Sequence, residues 1–142
     1  MGQQQLLLVI LVTIIVGIAT VVAINTFGAA ADSANLDAVR QDMAQIAAAS
    51  QGYYMKPAML GGGSRSFDNV TFNDFAFAAS GIDQNTGLEA VNENGRYVIT
   101  QGDQEFTITA HPASQVPPEL GGGPAAEPLI AWVTPNNLRW NS

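Results

Sequence analysis

His111 is the one histidine in the sequence, and cysteine is absent. The lack of cysteine removes thiolate nucleophiles, disulfides and thiolate metal sites together. His111 stands before Pro112 with no second histidine or paired acid at a set spacing, so the sequence predicts a surface residue at a strand end and not a general base. Asp83, Asn85, Gly87 and Glu89 alternate and offer oxygens of the kind Ca²⁺ takes. They lack the sixth-position glycine and twelfth-position glutamate of a calcium loop, so no metal site is expected. Neither Gly61-Gly62-Gly63 nor Gly121-Gly122-Gly123 is followed by Lys-Ser/Thr, so both read as flexible connections and not as phosphate loops. Asn69-Val70-Thr71 has the form of a glycosylation sequon. The chain is expected to have no catalytic, cofactor or metal site and to be no enzyme.

Charge narrows the partners further. The net charge is −7, and no charged side chain precedes Asp32. Nothing basic is clustered to neutralise phosphates, which argues against nucleic acid, and no juxtamembrane basic group awaits anionic lipid.

With chemistry excluded, the informative stretch is Leu6 to Ile24, nineteen residues without a charge after Gln3, Gln4 and Gln5. A bilayer core of about 30 Å needs roughly 20 residues of helix, so this run is long enough to span. It is apolar on every side, and such a helix must be wrapped in lipid or in protein. A signal peptide would start with a positive charge and carry a shorter apolar core; this run does neither, and its helical pattern continues past the alanines at 29–31.

No proline occurs until Pro57, and from Leu36 the pattern turns amphipathic. Leu36, Val39, Met43, Ile46 and Tyr53 fall on one stripe, with Asp37, Arg40, Gln41, Asp42 and Gln45 mostly off it. One helix from about Gln3 to Tyr54 follows, stopping before Pro57. Gly17 and Gly28 cost it about 1 kcal/mol each relative to alanine, which marks them as flex or packing points. Thr13, Thr20 and Thr26 can bond back to carbonyls and ease a bend.

After the helix, Val70 to Phe72 suggests a strand, with Asn73 or Asp74 capping a short helix through Ala79. Residues 81–95 read as loop. Arg96 to Thr100 and Glu105 to Ala110 alternate with period two around Gln101-Gly102-Asp103-Gln104 and predict a hairpin. Pro112 to Pro128 is an irregular excursion, and Leu129 to Thr134 the last strand. A sheet with one apolar face needs a cover, and the Leu36 to Tyr53 stripe is the available one. The fold class is therefore α+β: a long N-terminal helix, about 3–54, with a small C-terminal antiparallel sheet packed on its second half. Residues 1–28 form an apolar stalk, 29–54 the amphipathic half of the same helix and 55–142 a β-rich headgroup.

That layout resembles type IV pilins and pilin-like filament subunits. The resemblance implies a subunit held in the inner membrane before assembly and later packed with copies of itself in an extracellular filament, with the pilus assembly machinery as a further partner. Met1, Gln3, Gln4, Gln5, Leu6, Ile10, Ile14, Gly17, Val21, Ile24 and Gly28 would then form the filament core. The family's glutamate at the fifth position is here Gln5, and its proline near position 22 is here Val22, so docking would use amide hydrogen bonds in place of an ion pair. Met1 fits either a mature end or an initiator. The alternative reading is a single-pass anchored domain that binds a ligand through its sheet or loops.

Overall fold

The computed structural model describes residues 2–141. The first element is one helix, α1 (Gly2–Met55), and it runs through both Gly17 and Gly28 without interruption. Six strands follow: β1 (Gly81–Ile82), β2 (Glu89–Val91), β3 (Gly95–Thr100), β4 (Phe106–Pro112), β5 (Leu129–Thr134) and β6 (Asn137–Trp140). They form one antiparallel sheet in the order β1-β2-β3-β4-β5-β6, each strand beside its sequence neighbour. The class is α+β, as the pattern predicts. The chain divides into two compact units, residues up to Ala34 and residues from Asn35 onward.

In the second unit, helix residues and one face of the sheet share a core. Val39, Met43, Ile46, Ala47 and Tyr53 are buried in the same cluster as Ala90, Tyr97, Ile99, Phe106, Ile108, Ala110, Ala131 and Val133. The register explains why these strand residues meet. Ala90 faces Tyr97, which faces Ala110; Ile99 faces Ile108, which faces Ala131; Phe106 faces Val133. Cross-strand partners lie on one side of a sheet, so period-two alternation in each strand yields a single apolar surface. Ile99 is 2% exposed, and Ile99→Val is expected to cost about 1 kcal/mol, the usual effect of deleting one buried methyl group. Thermal unfolding of the full chain in detergent checks this value.

The helix ends where its carbonyls find other donors. Gly63, Arg65 and Ser64 donate backbone N–H groups to the carbonyls of Tyr53, Tyr54 and Lys56 at 2.9, 2.8 and 3.0 Å. A Cβ on Gly62 would lie 2.1 Å from the Lys56 carbonyl oxygen, so the returning chain can pass there only as glycine. Far from being a loose connection, this glycine run caps the helix.

Several expectations need correction. Residues 67–79 form neither strand nor helix. Their turns instead aim Phe67, Val70 and Phe72 inward, all buried, and the Phe67 ring lies 4.9 Å from that of Phe106. Asp74 accepts hydrogen bonds from the Thr71 backbone N–H and hydroxyl at 2.8 and 2.7 Å, closing a turn behind it and not opening a helix ahead. Residues 81–95, read as loop, hold β1 and β2. Pro135-Asn136 does not end the sheet but turns the chain into β6.

Candidate assembly and membrane surface

The first unit is a helix with nothing of its own to cover it. Across its apolar run no residue is buried, and it is long and apolar enough to cross a membrane by length and composition. Leu6, Ile10, Ile14, Val21 and Ile24 are exposed at 63, 48, 54, 58 and 66%. Gln3, Gln4 and Gln5 are exposed as well. Met1 lies outside the described residues. The threonines are made compatible with an apolar surrounding: Thr13, Thr20 and Thr26 donate their hydroxyls to the carbonyls of Val9, Val16 and Val22 at 2.7, 2.8 and 2.9 Å. A hydroxyl satisfied within its own helix avoids the penalty of burying an unpaired polar group. At Gly17 and Gly28 an added Cβ would meet nothing within 4 Å, so no contact among the described residues accounts for either glycine.

The residues expected to join helix and sheet divide between two settings. Val39, Met43, Ile46 and Tyr53 are buried in the shared core, whereas Leu36 is half-buried. Burial, then the charge of Asp74, raise the Tyr53 pKa above its ordinary value.

Polar ties between helix and sheet are the part that the stripe did not reveal. Asp42, placed off the stripe by its spacing, accepts three hydrogen bonds at Oδ2, from the Tyr97 hydroxyl at 2.7 Å and from Asn92 and Asn94 Nδ2 at 2.8 Å each. Burial first, and next the hydrogen bond to Asp42, push the Tyr97 pKa well up, which keeps its phenol a donor. Asn35 adds a second tie, donating Nδ2 to the Asn94 carbonyl at 2.8 Å and accepting the Ser114 backbone N–H at 3.1 Å. The Asn92-x-Asn94-Gly95 turn was the available signal, since asparagine side chains order such turns.

On the sheet's other face, residues 113–128 form a strap fastened to three successive strands. Glu89 on β2 accepts the Gly121 backbone N–H at 2.6 Å, Arg96 on β3 donates Nη2 to the Gly123 carbonyl at 2.8 Å, and His111 on β4 accepts the Ala125 backbone N–H at Nδ1 over 3.1 Å. Arg96 and Glu89 also form an ion pair at 3.3 Å. His111 is therefore no surface residue: it is 7% exposed, and so is Arg96. The strap covers them, a long-range effect invisible in the local sequence.

The alternating oxygens at 83–89 do not converge. Asp83 spends its carboxylate on the Asn85 backbone N–H and on the Thr86 N–H and hydroxyl, while Glu89 is engaged with the strap. The Thr86 hydroxyl, then the Asn85 N–H, hold the Asp83 pKa below its ordinary value. No cluster of three acidic or histidine side chains able to hold a metal occurs among the described residues.

Comparison with family models, curated proteins and solved structures found no match to this chain. Fold and surface together define a class: an α+β protein whose N-terminal helix is able to span a membrane and whose C-terminal part is a small antiparallel sheet. That architecture is consistent with a pilin-like protein.

Proposed function

We propose that the protein is the structural subunit of an extracellular, pilus-like filament, that it waits in the inner membrane through residues 2–28 and that assembly machinery transfers it into the polymer. It acts by polymerising and carries no catalysis. The observation that supports this most is the wholly uncovered apolar run of the first unit, uncharged through residue 31. Lipid covers it in the monomer, and copies of itself cover it in the filament.

Exchange of lipid for protein gains little from hydrophobic burial, because lipid tails are as apolar as leucine; close packing must supply the difference. The open space at Gly17 and Gly28 suits that role, since glycine lets a neighbouring backbone approach. Gln3, Gln4 and Gln5 supply amides for contacts between subunit ends.

Negative-stain imaging of material sheared from cells is the direct test. Fibres of uniform width built from this chain support the proposal. A chain that stays wholly in the membrane fraction without fibres overturns it in favour of an anchored domain. Gly17→Leu separates the two roles of the helix: it is expected to leave membrane insertion intact, adding only apolar surface, and to reduce fibres by tenfold or more, an estimate equal to about 1.4 kcal/mol of lost packing per contact. Counting fibres against membrane-bound subunit checks it.

A further inference from the structure

We infer that protonation of His111 releases the Ala125 end of the strap, residues 113–128, from the outer face of the sheet. The inference rests on the second unit alone and holds whether or not the chain polymerises.

The geometry makes the proton and the strap competitors for one atom. His111 accepts the Ala125 N–H at Nδ1, so in this state the ring is neutral and its own proton sits on Nε2. A second proton can bind only at Nδ1, where it turns the acceptor into a donor facing another donor. The strap loses its fastening at Ala125, which is 6% exposed and lies against the sheet.

Charge adds to the effect. Arg96 is the direct cross-strand partner of His111, and an imidazolium there faces a buried guanidinium whose Nε has no hydrogen-bond partner among the described residues. Glu89 on β2 opposes this by attracting both cations, but its Oε1 already serves Arg96 and Gly121. The strap's own acids, Glu119 and Glu127, are exposed and screened by water. On the far side, β5 presents no charged residue along Leu129–Thr134.

Burial, and next Arg96, lower the His111 pKa below its ordinary value, with Glu89 acting against them. The folded ring thus binds a proton less readily than the unfolded one. The fastening is complete above about pH 6.5, the ordinary histidine value, and is lost as pH falls from there through the lower folded value.

The strap is also held at Gly121 and Gly123 and, at its start, by the Ala113 N–H on the Asn94 carbonyl, the Ser114 N–H on Asn35 Oδ1 and the Gln115 and Val116 N–H groups on the Pro112 carbonyl. With Ala125 free, all of these bonds remain, so release is confined to the Ala125 end and leaves the strands paired.

Hydrogen exchange on the full chain in detergent micelles tests this, with rates corrected for intrinsic pH dependence. Between about pH 8 and pH 5, protection at the Ala125 end of the strap is expected to fall roughly threefold to tenfold, the equivalent of one net hydrogen bond, while β3, β4 and the strap's start keep theirs. In His111→Gln, whose amide oxygen accepts the same N–H without titrating, strap protection should be flat across that range. A flat profile in the unaltered chain, an equal fall in the variant, or an equal loss in β3 and β4 each overturns the inference. Should the variant not fold, the ring signals of the lone histidine and the Ala125 amide are followed by NMR in the unaltered chain. One shared midpoint supports the inference, and two separate ones overturn it.

Discussion

Filaments are expected to disappear when Ile14 or Val21 is replaced by aspartate. Both side chains are more than half exposed on the uncovered helix, and both lie within an uncharged run. An aspartate near the middle of a membrane helix costs about 3 kcal/mol on insertion scales, a cost that mislocation of the helix toward the interface only partly relieves. In a polymer the same charge recurs in every subunit, surrounded by apolar neighbours that offer no partner. Each copy added meets the penalty again, so the expected outcome is absence of fibres and not shorter ones. Gln41→Asp, on an exposed position of the second unit, is the control and should leave fibres unchanged. Imaging and membrane fractionation read both effects. Fibres of normal length from either apolar-run variant would refute the proposed function.

Asp42→Ala should destabilise the second unit by about 3 kcal/mol, because it strips three donors of a shared acceptor and leaves a buried Tyr97 hydroxyl unpaired. For a unit of this size the melting temperature should fall on the order of 10–15 °C. Asp42→Asn keeps one oxygen able to accept from Tyr97 and should cost less. A second change, Tyr97→Phe, removes the stranded hydroxyl; combined with Asp42→Ala it should cost less than the sum of the two single changes, with a coupling of about 1 kcal/mol or more. Additive losses, or a single-variant loss below about 0.5 kcal/mol, would show that Asp42 is not the tie described. Circular dichroism melts of the full chain in detergent provide all four numbers.

Asp42 also shows where sequence reading stops. The extent of α1 and its end near Pro57 were legible from the proline-free run and the proline that closes it, and the 96–110 hairpin and the inward face of the sheet from a local period of 2. Asp42 lies beside Met43 on the helix, and spacing alone places it off the apolar stripe. Its value comes from Asn92, Asn94 and Tyr97, some fifty residues away, which no local rule reports. The same holds for His111, read as exposed because its neighbours in sequence are a strand end and a proline, yet buried by a strap from residues that follow. The missed strands failed differently. β1 has two residues and β2 three, too short for alternation to register, and they are held by the Asp83 turn between them. Leu138, opposite Val133, and Trp140, opposite Ala131, mark β6 as continuing the inner face.

For the uncovered helix, the sequence displayed the whole surface but not the meaning of its glycines. Gly17 and Gly28 read as flex or packing points when only their intrinsic cost was known. With the helix continuous through both and open space at each, flexibility loses its force as an explanation and contact with another molecule gains it.

The order of the strands carries one more consequence. Because β1 through β6 pair only with their neighbours in the chain, each new strand finds its partner already made, and sequence separation across the sheet stays small. Topologies with such local pairing fold quickly. Residues 35–55 precede all of it, so the apolar stripe that receives the sheet is in place before the first strand. A unit of this kind can be completed strand by strand as the chain emerges, without waiting for its last residue.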